Sequence, residues 1–239
     1  LKLNKPFIKK LPFVLHVGEG VDKSAKKEIT SAIRWNLWRR DLVGVHGVAM
    51  NERQAKSFKA LVWCPVSNEF LIGQTAPINK LKHRTKVLFG TDATVSASWN
   101  IWEHLRIGRH TGMVSDKRLF SMLNTLPAEV WKINKRGRIK GGYDADIVVA
   151  REKDDMHGYD AFFAVNPEDI LLVMHRGKIK LLDESLINQI LNNDMSLEGY
   201  SRISIEASIK YVYGDVPALI SEIKQCYPGA QFPIKTGDE

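Results

Sequence analysis

Four ionisable side chains stand at, or just past, the ends of short apolar runs. Phe13-Val14-Leu15 runs into His16, with Glu19 three residues on. Leu42-Val43-Gly44-Val45 ends at His46, and Lys86-Val87-Leu88-Phe89 ends at Gly90-Thr91-Asp92. Imidazole and carboxylate are the groups with which active sites do acid–base work. One such histidine alone is ordinarily a hydrogen-bonded structural residue. Glu19 alone would suit a helix start, and Asp92 alone could cap a helix. Placed together at strand ends they read as a functional site, a pattern that core packing does not readily produce.

The stretches between these runs must position them. Asp22 to Arg40 carries Ala25, Ile29, Ile33 and Leu37 at helical spacing, and Glu52 to Ala60 is again helix-like. A further apolar run, Ala60-Leu61-Val62-Trp63-Cys64, ends at Pro65-Val66-Ser67-Asn68. The result is a strand–helix alternation repeated four times, with strands of the buried, parallel-sheet type. His16 and His46 lie 30 residues apart, close to the roughly 30 residues that each unit occupies in an eight-fold β/α barrel of ~250 residues. In such barrels the carboxyl ends of the strands face the active site.

Beyond Asp92 the spacing predicts helices over Trp99–His110 and Asp116–Leu123, closing at Pro127. The texture then changes. Gly137-Arg138-Ile139-Lys140-Gly141-Gly142-Tyr143 is rich in turn residues, and the runs Ile147–Ala150 and Ile170–Met174 predict a small antiparallel β unit. From Ser185 to Ile223 the periodicity reads as helical, most clearly from Val216 onward.

Composition narrows the classes. The chain has 239 residues, 44% hydrophobic and 26% charged, which excludes a disordered protein. No run approaches the ~18 apolar residues of a membrane helix. Two cysteines, Cys64 and Cys226, exclude a disulfide scaffold and lead us to expect a reducing, cytoplasmic setting. Cys64 has no basic neighbour in sequence and is expected to be a buried structural thiol. The net charge of +8 invites a nucleic-acid reading, but the basic residues are spread and fall in no zinc-finger, RNA-recognition or helix-turn-helix pattern. Nucleic acid is therefore not the expected partner. The chain opens on Leu1 inside a running pattern, so a segment of a longer polypeptide is expected.

The ordered set His16-x-x-Glu19, Val45-His46-Gly47, Cys64-Pro65-x-Ser67-Asn68 and Gly90-Thr91-Asp92 resembles the second half of an amidohydrolase-superfamily barrel. It is most similar to the cytosine deaminase, guanine deaminase and chlorohydrolase branch. The later Gly137-x-Ile139-x-x-Gly142-x-Asp144-Ala145-Asp146-Ile147 resembles the segment with which that family re-enters its β-sandwich domain. The fold this implies is α/β. Residues 1–134 would be strands five to eight of a (β/α)₈ TIM-type barrel, 135–182 a small β-sandwich element and 183–239 a helical tail.

The resemblance makes His16 and Asp92 ligands of a catalytic divalent metal, zinc first and iron second, both suited to imidazole and carboxylate. Asp92 could also take the proton from metal-bound water. Glu19 would be the proton shuttle. His46 would stabilise the attacking hydroxide or a developing oxyanion, or contact the metal. Ser67, Asn68 and Ser96 are candidate substrate contacts, although Ser67 and Asn68 would also serve as turn caps. The implied reaction is hydrolysis or deamination of a C–N bond in a small cyclic amidine or amide, and the implied assembly is a homodimer.

One departure is plain. The family's metal site opens with a His-x-His pair, and no two of the seven histidines here are separated by a single residue. The missing first half would come from the same polypeptide or from a partner fragment. The competing expectation is a catalytically incomplete half barrel that acts as a binding or assembly unit.

Overall fold

The computed structural model describes residues 11–153, 155–191 and 196–237. The chain falls into two compact units divided between Arg138 and Ile139. In the first, strands β1 (Phe13–Val17), β2 (Leu42–His46), β3 (Ala60–Trp63) and β4 (Lys86–Phe89) form one parallel sheet in the order β1-β2-β3-β4. Helices α1 (Lys23–Trp35), α2 (Glu52–Ala55), α3 (Pro65–Ile72) and α4 (Ile78–Leu81) make the connections. After β4 come α5 (Ile101–His110), α6 (Asp116–Leu123) and α7 (Thr125–Val130). Among the described residues β1 and β4 are the sheet edges, so the expected barrel geometry is present as an open parallel sheet and not as a closed barrel.

The inner strands explain why the apolar runs show no alternation. Leu42, Val43, Ala60, Leu61 and Trp63 are all buried, as residues on both faces of a covered parallel strand must be. Two helices are shorter than their periodicity predicts. Asp22 caps α1, its Oδ1 accepting from Ala25 N at 2.8 Å, and Ala25 and Ile29 are buried. The helix stops at Trp35, short of Arg40. There Asn36 brackets the backbone of Arg40, donating to its O at 2.8 Å and accepting from its N at 2.9 Å, while Arg39 turns left-handed at φ +48°. The helix from Glu52 ends at Ala55, because Ala60 is claimed by β3 opposite Val43.

The second unit corrects an expectation. Strands β5 (Ile147–Ala150), β6 (Ile170–His175), β7 (Lys178–Asp183), β8 (Tyr200–Ile205), β9 (Ser208–Tyr213) and β10 (Lys235–Thr236) make one six-stranded antiparallel sheet in the order β10-β8-β9-β7-β6-β5. Short helices α8 (Gly158–Ala164) and α9 (Ile187–Leu191) interrupt it, and α10 (Val216–Cys226) follows β9. The segment read as a helical tail thus holds a hairpin, β8–β9, that joins the same sheet as β7. Its β-branched residues Ile203, Ile205, Ile209 and Val212 favour the pleated surface, and Glu206 turns the hairpin at φ +52°. The helix from Val216 is where the periodicity placed it. Among the described residues no helix is long and apolar enough to cross a membrane.

Candidate active site

The carboxyl ends of β1, β2 and β4 converge. One ligand-capable atom each from His16, His46 and Asp92 lies within 4.8 Å of the others. The rings of His16 and His46 are 5.4 Å apart at a tilt of 34°. In the sheet register His16 pairs with Val45, so His46 sits one residue further along. A regular ladder would send the two side chains to opposite faces. His46 escapes this by leaving the strand in the left-handed region, φ +70°, and Asp92 is likewise left-handed at φ +62°. Two non-glycine residues in this sparsely populated conformation, both at one cluster, are the kind of backbone feature that collects at functional sites.

Backbone bonds hold the two loops together. Gly47 N donates to Val17 O at 3.0 Å and Ala49 N to Gly18 O at 3.0 Å. Gly18 N donates to Glu28 Oε2 at 2.9 Å, which ties the first loop to α1. Gly47 must be glycine on two counts: its φ is +62°, and a Cβ there would meet Leu61 Cδ1 at 2.6 Å. Glu19 is carried on this framework, its Oε1 3.6 Å from His46 Nε2, and its side chain is 37% exposed while that of His46 is 1% exposed. His16 and Asp92 are exposed, so the cluster opens to solvent on one side and rests on a buried imidazole on the other.

Behind that imidazole is a second layer. His46 Nδ1 lies 2.8 Å from Asn68 Oδ1. Asn68 Nδ2 donates to Thr75 Oγ1 at 3.3 Å, and Trp63 Nε1 donates to the same hydroxyl at 2.7 Å. With Nδ1 engaged, Nε2 is the nitrogen of His46 that faces Glu19. Cys64, next to the end of β3, completes the floor. Burial, and then the negative charges of Asp92 and Glu19, push its thiol up to about 12, against a smaller downward pull from the Asp92 backbone N–H. So placed, the thiol is held in its protonated form.

The structure brings His16, Glu19, His46 and Asp92 together. The plainer readings of two of them fail: Asp22 caps α1, leaving Glu19 free of that duty, and Asn100 caps α5 by accepting from Trp102 N at 3.0 Å. Asn68 joins the site from behind. It is fully buried in the first turn of α3, where its amide engages His46 and Thr75. Ser67 is also fully buried, with no hydrogen-bond partner at Oγ. Ser96 is buried and its Oγ donates to Ala93 O at 3.1 Å. Thr75 and Trp63 carry no sequence signal for this role, since neither lies in a motif and Trp63 reads as a core residue.

Two imidazoles and a carboxylate gathered at the carboxyl edge of a parallel sheet define a β/α protein with its site at the strand ends, where such folds build them. The sequence model of the amidohydrolase family matches residues 14–180, and the chain belongs to that family. No curated protein sequence matches it.

Solved structures do. Atrazine chlorohydrolase TrzN from Arthrobacter aurescens, determined with zinc, is similar at TM-score 0.58 and 16% identity, over 77% of this chain and 48% of that one. An amidohydrolase from Thermotoga maritima is similar at TM-score 0.53 and 20% identity, over 72% of this chain and 43% of that one. Aminofutalosine deaminase from Helicobacter pylori gives TM-score 0.51 and 18% identity, over 59% and 38%. At these identities the likeness is one of fold. The chain spans about half the length of the first of these structures.

Proposed function

We propose that this chain supplies half of an amidohydrolase (β/α)₈ barrel, and that His16, His46 and Asp92 hold a divalent cation, zinc in the first place, for hydrolysis or deamination of a C–N bond in a small cyclic amidine or amide. The observation that carries the reading is the convergence of three ligand atoms within 4.8 Å. The donor set fits the group: neutral imidazole and carboxylate are zinc and iron ligands, and three protein ligands are the usual number in a catalytic zinc site. When bound, the cation would acidify water and polarise the substrate. Family membership and the zinc complex of the Arthrobacter enzyme support the same choice.

The chain's own residues then divide the work. Asp92, exposed at the rim, is placed to accept a proton from the attacking water. Glu19 stands at the mouth near His46 Nε2, where a half-exposed carboxylate can pass a proton to a ring nitrogen and on to the leaving group. His46 offers the cation a buried imidazole nitrogen. The remaining strands of the barrel would pair with the open edges β1 and β4, and the half-length match to solved structures supports a second half beyond this sheet.

Metal analysis after dialysis against zinc tests the proposal. One zinc per chain is expected, falling to background in the H16A/D92A variant. A folded chain that retains none would instead favour the binding or assembly unit.

A further inference from the structure

We propose that Thr75, held by the indole of Trp63, is a positioning residue that fixes the amide of Asn68 and through it the tautomer of His46, so that Nε2 presents its lone pair to His16, Glu19 and Asp92. The inference deepens the metal-site reading and rests on it only for the purpose the tautomer serves.

A neutral imidazole has one N–H and one bare nitrogen, and a metal or proton can be accepted only by the bare one. Asn68 presents Oδ1 to His46 Nδ1 at 2.8 Å. An amide oxygen only accepts, so Nδ1 must carry the hydrogen and Nε2 must be bare. The orientation of the amide therefore decides what His46 can do.

That orientation is set further back. The indole N–H of Trp63 can only donate, so Thr75 Oγ1 accepts from it at 2.7 Å. The same oxygen accepts from Asn68 Nδ2 at 3.3 Å, which keeps the NH₂ end of the amide away from the histidine. Trp63 cannot drift: it is fully buried on β3 and stacks edge-on against Phe89, ring centroids 5.8 Å apart. Asn68 and His46 are buried too, so water does not compete for their bonds. The relay runs Trp63, Thr75, Asn68, His46, and joins two consecutive β/α units, because Trp63, Asn68 and Thr75 lie between the end of β3 and α4 while His46 ends β2.

The test is ¹⁵N NMR of imidazole-labelled, metal-free full chain at pH 8, where free imidazole is neutral, together with zinc affinity by competition against a chelator. In the wild type His46 is expected to show the Nδ1–H form in at least about nine molecules in ten, a population ratio set by one well-made bond. Thr75→Val should shift His46 toward the other tautomer and weaken zinc binding by about tenfold to a hundredfold, the range for an outer-layer partner of a metal-ligating histidine. Thr75→Ser should restore both, and Asn68→Asp should keep the Nδ1–H form because a carboxylate also accepts. A merely structural threonine would lower the melting temperature of Thr75→Val and leave the tautomer where it was, which would overturn the proposal. An Nε2–H wild type would mean that the amide is reversed, and would overturn it without any variant. If the tautomer behaves as stated but the wild type takes up no zinc, the proposed function fails and this inference does not.

Discussion

The imidazole of His46 and the amide of Asn68 meet at 2.8 Å in the floor of the site, one residue ending β2 and the other opening α3. Both are buried, so the bond joins consecutive β/α units out of reach of water. The exposed members of the cluster, His16 and Asp92, are thereby set against a buried, hydrogen-bonded partner.

Glu19→Gln separates proton traffic from metal binding. The Glu19 carboxylate comes within 3.6 Å of His46 Nε2. The amide keeps size and loses basicity, so zinc content should be unchanged while hydrolysis by the assembled enzyme falls by about 10² to 10⁴, the usual contribution of a positioned acid–base group. Parallel metal analysis and turnover assays check it. Loss of zinc from this variant would make Glu19 a ligand.

Cysteine labelling tests the site floor. Cys64 is buried and its thiol is raised to about 12, whereas Cys226 is exposed. Iodoacetamide at pH 8 should modify Cys226 and leave Cys64 untouched until the chain is unfolded, as peptide mass mapping would show. Rapid labelling of Cys64 would mean that a thiolate is present at the site.

Much of this was legible in the sequence, and the reason differs by region. His16, His46 and Asp92 follow apolar runs, and four β/α repeats place strand ends on one edge whatever the details of packing. The β8–β9 hairpin was not legible, because Ile203, Ile205, Ile209 and Val212 recur at spacings that suit a helix nearly as well as a strand. Thr75 was invisible for another reason: its role depends on Trp63 and Asn68, twelve and seven residues away, meeting in space. Left-handed backbone at a histidine or an aspartate leaves no composition signal either, and without it His46 would face away from His16.

Gly47→Ala should destabilise the first unit by about 1–3 kcal/mol, since a left-handed position and a Cβ 2.6 Å from Leu61 Cδ1 both oppose it. Chemical denaturation with tryptophan fluorescence reads this. A neutral outcome would contradict the tight seating of the β2 loop that carries His46.

The second unit has its own point of vulnerability. Lys210 is fully buried; its Nζ is 2.5 Å from Asp183 Oδ2 and 2.7 Å from each of the carbonyls of Glu168 and Ile170. Lys210→Met leaves Asp183 charged, buried and short of its partner, and should cost about 3–5 kcal/mol. The double variant Asp183→Leu/Lys210→Met should recover most of that. Equal losses in the single and double variants would show that the pair does not couple.

Acid should act on the same pair. Burial disfavours the Asp183 carboxylate, but hydrogen bonds from Lys210 and Ser185 and the lysine charge outweigh it and hold the group at about 2. A depressed carboxylate stabilises the fold fully above its unfolded value near 4 and loses that contribution as pH falls toward 2, here about 2 kcal/mol. Melting temperature should therefore drop across that window in the wild type, and by less in the double variant.

The zinc K-edge absorption spectrum of the metal-loaded chain tests the central claim most directly. Two imidazoles and an oxygen shell near ~2.0–2.1 Å, with no sulfur near ~2.3 Å, is the result expected for His16, His46 and Asp92 with Cys64 protonated. A sulfur shell, or a zinc without imidazole neighbours, would contradict the site described.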